Sequence, residues 1–239
     1  MSVPVMAETL LKVENLQSWY GESHILHGVG FEIGKGELVT LLGRNGAGKT
    51  TTLKSIMGIV ERRRGSVTFE GRETIGLPSD VIARQGLAYC PEERGIFSSL
   101  NVEENLLLPP MVKPGGMSLS EIYQLFPNLQ ERRRSQGTKL SGGEQQMLAI
   151  GRILRTGAKL LLLDEISEGL APVIVQKLAE MVVLLRRQGY TIVMVEQNFR
   201  FAAPLADRFL VMEHGQIIQE FTQAQLPDRL AQLHEYLGV

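Results

Sequence analysis

From Leu10 to Leu16, Ser18 to Tyr20 and Val29 to Ile33, apolar and polar residues alternate among β-formers, with Gly21, Gly34 and Gly36 as punctuation. That period predicts strands buried on one face, a small antiparallel layer. Leu38 to Leu42 is nearly all apolar, as suits a strand covered on both faces. It leads through a glycine-rich turn into TTLKSIMG, a short helix closed by Gly58. Ser66 to Phe69 and Leu87 to Cys90 predict further strands. From Glu93 to Gly157 the spacing turns helical, and the pairs Asn101 with Glu104 and Ser118 with Glu121 have the separation of N-terminal capping boxes. This stretch is predicted to be an inserted helical subdomain. Leu160 to Leu163 returns to a buried strand, and Pro172 and Gly189 bracket one long helix. Thr191 to Val195 and Phe209 to Met212 complete the strands, followed by an amphipathic helix near Arg229 to Leu237. Strands alternating with helices imply an α/β fold, a parallel sheet wrapped on both faces.

Composition narrows the class. With 239 residues, 44% hydrophobic and 21% charged, the chain reads as one globular domain. The longest uninterrupted apolar run, Met181 to Leu185, is fenced by Glu180 and Arg186, whereas a membrane-crossing helix needs about 20 residues. The opening MSVPVMAETL holds no basic residue and no apolar stretch of leader length, which predicts a cytosolic chain. A net charge of −1 supplies no positive field for nucleic acid, which is not expected as a partner. The basic clusters Arg62 to Arg64 and Arg132 to Arg134 read as solvated faces between elements. The single Cys90 excludes an intramolecular disulfide and a zinc ribbon. It is expected as a buried strand thiol.

Gly43 to Thr50, GRNGAGKT, fits G-x-x-x-x-G-K-[ST] between a predicted buried strand and a predicted helix, the setting that motif requires. Its glycines let consecutive backbone N–H groups curl round a polyphosphate while the helix N-terminus adds positive dipole. Gly43, Arg44, Asn45, Gly46, Ala47, Gly48, Lys49, Thr50 and Thr51 are the expected nucleotide contacts. Lys49 brings a mobile cation to the β and γ oxygens, and Thr50 brings a hydroxyl to magnesium. So far kinase, GTPase and ATPase remain open.

The motif LSGGEQQ, Leu140 to Gln146, precedes LLLLDE, Leu160 to Glu165, by a short helix. It has no role in a GTPase or a small-molecule kinase. On these ordered motifs the chain resembles the ATP-binding subunit of an ABC transporter over nearly its whole length. The resemblance implies an ATPase using ATP and Mg2+, with a P-loop NTPase fold of parallel-sheet core, small antiparallel β layer and inserted helical subdomain. One domain over 1–239 is expected, with 1–92 and 158–239 as nucleotide-binding core and β layer, and 93–157 as the helical subdomain. Physically, Asp164 stands at the carboxyl end of a buried strand, where ligands of open α/β sheets collect, and is expected to hold magnesium through water. Glu165 is placed to orient and polarise the attacking water at the γ-phosphate. Leu140, Ser141, Gly142, Gly143 and Glu144 open a second anion-binding helix start. By resemblance it closes over the ATP held by a partner subunit in a head-to-tail pair. Tyr20, beside Trp19, falls about where the family stacks an aromatic on adenine, and a flat π face suits a purine. Trp19 is the lesser candidate.

The chain departs from the general family pattern at Glu92, where a glutamine is usual, and at Gln197, where many members carry a histidine. Glu92 still reaches magnesium through water, whereas Gln197 can donate a hydrogen bond to the γ-phosphate but carries no charge. Ile166 replaces a common proline, and Ala171 an aspartate. Together PE-x-R, EGLAP and VEQN resemble the ATPase of branched-chain amino-acid importers, the LivF type, and its relative in urea import. The resemblance implies a peripheral subunit on the cytoplasmic face of the inner or plasma membrane. It implies a paralogous ABC ATPase as partner (heterodimer, or alternatively homodimer), transmembrane permeases, and indirectly an extracytoplasmic solute-binding protein. The rivals are an importer of urea or another amide or amino acid, a non-transport ABC ATPase of DNA repair or translation, and a weak cassette acting as an ATP-dependent interaction module. Only 92 residues separate Lys49 from Ser141, too few for the long coiled-coil arms of DNA-tethering members. Retention of Lys49, Asp164 and Glu165 argues for catalysis. The four histidines show no ligand spacing, so no metal besides nucleotide magnesium is expected.

Overall fold

The computed structural model of the chain describes residues 8–237; most of the opening stretch read for a leader lies outside them. Two layers of sheet carry the fold. The antiparallel layer joins β1 (Thr9–Tyr20), β2 (Ser23–Gly34), β4 (Arg62–Phe69) and β5 (Arg72–Glu73) in the order β2-β1-β4-β5. The second sheet has the order β10-β9-β3-β8-β7-β6. Its parallel strands are β3 (Leu38–Leu42), β6 (Leu87–Cys90), β7 (Leu160–Asp164), β8 (Thr191–Val195) and β9 (Arg208–Glu213), and β10 (Gln216–Thr222) closes one edge antiparallel to β9.

The all-apolar strands work as predicted because successive side chains serve different cores. Leu38, Leu161, Leu163, Ile192 and Met194 face one cluster, shared with the helices, while Val39, Leu160, Leu162, Val193 and Val195 face the cluster beneath the antiparallel layer. Leu162 is completely buried there. Leu162→Ala is expected to lower stability by about 2–5 kcal/mol through lost transfer energy and a cavity, read as a shift in denaturation midpoint at unchanged slope.

The helices are α1 (Lys49–Ile56), α2 (Ser79–Arg84), α3 (Val102–Leu107), α4 (Leu119–Leu125), α5 (Pro127–Glu131), α6 (Gly142–Arg155), α7 (Pro172–Arg187), α8 (Phe199–Ala202) and α9 (Leu226–Leu237). The stretch between β6 and β7 is helical, and both expected capping boxes form, at Asn101 with Glu104 and Ser118 with Glu121. Leu106, Ile122 and Leu148 from this stretch share the core of Leu161 and Leu163. Among the described residues no helix is long and apolar enough to cross a membrane.

Three expectations need correction. Leu10–Leu16 and Ser18–Tyr20 are one strand, because a bulge with register shifts between Val13 and Leu16 and a positive φ of 48° at Asn15 breaks the alternation without ending the pairing. Arg62–Arg64 is not a connector but the first half of β4. Arg63 turns inward and donates to the Val60 and Leu77 carbonyls, both at 2.7 Å, so only Arg62 and Arg64 fit a solvated face.

Candidate functional site

β3 hands the chain to the phosphate loop, and α1 begins at Lys49. Gly48 caps α1 with φ +106°, and a Cβ there would stand 2.9 Å from Leu26 Cδ2. Only glycine permits both. Lys49, 4% exposed, donates from Nζ to the carbonyls of Gly43 at 2.9 Å and Arg44 at 3.1 Å, and lies 3.5 Å from Glu165 Oε1. Arg44, Asn45 and Gly46 form the loop's exposed rim, while Ala47 and Thr51 are buried beneath it. Arg44 Nε donates to the Tyr236 carbonyl of α9 at 3.0 Å.

Parallel pairing brings two further strand ends to this loop. Asp164, fully buried at the end of β7, accepts the Thr50 hydroxyl on Oδ1 at 2.9 Å and the Tyr89 hydroxyl on Oδ2 at 2.7 Å. Burial raises its carboxyl above the usual range against those two hydrogen bonds, and Glu165 adds to the rise. Glu165 holds φ +46°, a left-handed conformation costing a non-glycine residue about 1 kcal/mol or more. Its N–H donates to the Val195 carbonyl at 2.8 Å, which locks the turn to β8. Gln197, just past β8, donates from Nε2 to Glu165 Oε2 at 2.6 Å. Glu92 is exposed beyond β6, and its carboxyl is raised by partial desolvation, then by Glu165, Asp164, Glu93 and Glu168.

Asn45, Gly46, Lys49, Thr50, Glu92, Glu165, Glu168 and Gln197 line one cleft of about 400 Å³. Its facing carboxylates outnumber its lysine, an arrangement that favours added positive charge. Among the described residues no group of three His, Cys, Asp or Glu is placed to hold a metal by itself. The Thr50 hydroxyl and Asp164 carboxylate, 2.9 Å apart, fit an octahedral Mg2+ that takes its other ligands from phosphates and water.

The remaining predicted residues lie elsewhere. Tyr20 ends β1 with 49% exposure and is not among the cleft's lining residues. Trp19 is engaged: it stacks on His24 at 4.3 Å with the Arg62 guanidinium over it at 5.1 Å. Ser141 caps α6, its hydroxyl and N–H both donating to Glu144 Oε2 at 2.8 Å while Glu144 N–H returns to Ser141 Oγ at 3.3 Å. Burial opposes ionisation of Glu144, but the Ser141 bonds, Arg132 and Asn128 outweigh it and hold the carboxyl below its ordinary value. The amide groups of Gly142 and Gly143, in the first turn, have no intrahelical acceptor and remain as donors. Leu140 is buried, and none of Leu140–Glu144 lines the phosphate-loop cleft. Cys90 is the expected buried thiol, pushed up to about 12 by burial.

Sequence reasoning missed Tyr89, Ser167, Glu168 and Glu196. Tyr89 reads as a core aromatic until β6 pairs with β7 and places its hydroxyl on Asp164. Glu196, 1% exposed, accepts the Ser167 N–H on Oε1 at 3.1 Å and the Ser167 hydroxyl on Oε2 at 2.7 Å.

A family model described as ABC transporter matches residues 26–168. The high-affinity branched-chain amino acid transport ATP-binding protein BraG of Pseudomonas aeruginosa is 44% identical over 232 residues, 96% of this chain and 100% of that protein. The lipopolysaccharide export system ATP-binding protein LptB of Haemophilus influenzae is 31% identical over 238 residues, 96% of this chain and 98% of that protein. A crystal structure of a nucleotide-free ATP-binding cassette from an ABC transporter superposes with a TM-score of 0.83 at 24% identity, covering 97% of this chain and 99% of that one, a likeness of fold.

Proposed function

The chain belongs to the ABC transporter family of ATP-hydrolysing subunits, and from that premise we propose that its ATP hydrolysis drives import of branched-chain amino acids. It works as a peripheral subunit on the cytoplasmic face of the inner or plasma membrane. It pairs with a paralogous ABC ATPase and docks on transmembrane permeases that an extracytoplasmic solute-binding protein supplies. What supports the solute is the 44% identity, end to end, with a relative named for branched-chain amino acid transport. A leucine-loaded binding protein should therefore stimulate ATP hydrolysis by the assembled transporter, and a urea-loaded one should not; the reverse order would give the solute to the rival reading.

In this reading each group of the cleft and its surroundings has a role. The phosphate-loop amides and Lys49 hold the triphosphate, Tyr20 offers its ring to adenine, and Thr50, Asp164 and Glu92 hold Mg2+ directly or through water. That ion, when bound, neutralises charge on the β and γ oxygens. Glu165 takes the proton of the water that attacks the γ-phosphorus as the bond to the β–γ bridging oxygen breaks and ADP leaves. Gln197 holds Glu165 through one hydrogen bond. Because Leu140–Glu144 lies outside this cleft, its free amides serve the ATP of the partner.

The proposed permease seat is the face round a second cleft of about 390 Å³ between α2, β6 and α6, lined by Met57, Ile59, Ala83, Leu87, Pro91 and Ile153 among others. Large apolar side chains stand uncovered in the segments round it: Ile59 at 46%, Phe97 at 45%, Leu107 at 50% and Met111 at 69% exposure. Leu106, by contrast, is core. Cysteines placed at the exposed Ser98 or Ser99 should crosslink to a permease, with the buried Cys90 not competing. Capture of the other ATPase subunit alone would refute this seat.

A further inference from the structure

The turns that leave β7 and β8 are joined through side chains in two places. One join is Gln197 to Glu165 at 2.6 Å, inside the cleft. The other lies behind it, where Glu196 accepts both the N–H and the hydroxyl of Ser167, at 3.1 Å and 2.7 Å. Each residue of the hidden join sits one or two positions from a member of the first. Glu196 precedes Gln197, and Ser167 follows Glu165 by two. Glu196 also ties to a third strand, its own N–H donating to the Leu41 carbonyl of β3 at 3.3 Å, just ahead of the phosphate loop. A buried carboxyl is expensive unless its hydrogen bonds are satisfied, and both Glu196 oxygens meet Ser167.

From these contacts we propose that Glu196 is a positioning residue for ATP hydrolysis, fixing Glu165 and Gln197 to one another by clamping Ser167 between the ends of β7, β8 and β3. The inference rests on the catalytic reading of Glu165. Glu165 sits in a left-handed conformation at φ +46°, which persists only where its surroundings overdetermine it. The Ser167 clamp supplies one fixed end of that turn and the Val195 carbonyl the other. Burial first, then Glu165 and Glu168, push the Glu196 carboxyl up to about 8 against the two Ser167 hydrogen bonds. A carboxamide of the same length keeps one acceptor for the Ser167 N–H and holds Oγ by donating to it, the reverse of the hydroxyl's donation to Glu196.

The test measures kcat, KM for ATP, ATP affinity by calorimetry and thermal stability in the assembled transporter carrying Glu196→Ala, Glu196→Gln, Ser167→Ala or, as reference, Glu165→Gln. Glu196→Ala should lower kcat about 10-fold or more, with KM and ATP affinity changed less than about 2-fold, because a small misplacement of a catalytic group costs rate and not binding. Ser167→Ala deletes a single hydroxyl and should lower kcat in the same sense, by about 3-fold or more. Glu196→Gln should restore most of the rate. The inference is overturned if kcat is unchanged in Ser167→Ala and Glu196→Ala, if Glu196→Gln is as slow as Glu196→Ala, or if the loss only follows the fraction of protein still binding ATP. If Glu165→Gln itself hydrolyses ATP normally, the catalytic reading has failed; if it is inactive while the clamp variants are unaffected, the clamp alone has failed.

Discussion

Glu165→Gln should bind ATP and hydrolyse it about 10²-fold or more slowly at this chain's site. The carboxylate is 7% exposed, fixed by Gln197 at 2.6 Å and beside Lys49 at 3.5 Å, while the backbone N–H of the same residue is held by the Val195 carbonyl. The amide keeps the size and one acceptor for Gln197 but cannot take the proton of the attacking water. Gln197→Ala removes a positioning hydrogen bond and no charge, so its loss should be much milder. Because the two sites of a pair can differ, turnover is read in the complex whose partner has its own catalytic carboxylate disabled. Fast hydrolysis in Glu165→Gln together with failure in Gln197→Ala would reverse the two roles.

Ser141→Arg is expected to leave ATP affinity at this chain's own phosphate loop within about 2-fold and to abolish ATP-driven association with the partner. Ser141 is exposed at the start of α6 and lines no part of the phosphate-loop cleft, so the substitution is expected to spare nucleotide binding there. In place of a small cap it sets a long cation over the amides of Gly142 and Gly143, and it breaks the capping box with Glu144, at a cost of about 0.5–2 kcal/mol to the helix. Affinity by calorimetry and dimer formation by sedimentation separate the two effects; equal loss of both would contradict a role in trans.

The parts of the fold carried by uninterrupted local pattern were legible before the structure. β3, β6 and β8 span the residues expected, Leu38–Leu42, Leu87–Cys90 and Thr191–Val195, because each is an apolar run bounded by polar or breaker residues. Pairing on one side only leaves a weaker trace: the edge strand β10 is half exposed along most of its length, so its sequence QIIQEFT carries little alternation. Arg63 shows the same limit from the other direction, since a basic run looks solvated until its neighbours in β4 fix which side chain faces inward. At the site, Lys49, Thr50, Asp164 and Glu165 sit in local motifs whose geometry follows from a strand ending in a loop. Tyr89 and Glu196 do not; their roles arise from the pairing of β6 with β7 and of β7 with β8, which no short stretch of sequence encodes.

On the function proposed, ATP handled by this chain drives uptake of branched-chain amino acids. That coupling is tested by uptake of labelled leucine, isoleucine and valine, with labelled urea in parallel, in the native cells carrying Lys49→Ala at this locus alone. Lys49 is the buried cation of the phosphate loop, and on the role proposed for it its removal takes away the grip on ATP. Loss of uptake of all three amino acids with urea uptake intact is the predicted result; undiminished leucine uptake, with or without loss of urea uptake, would contradict the account.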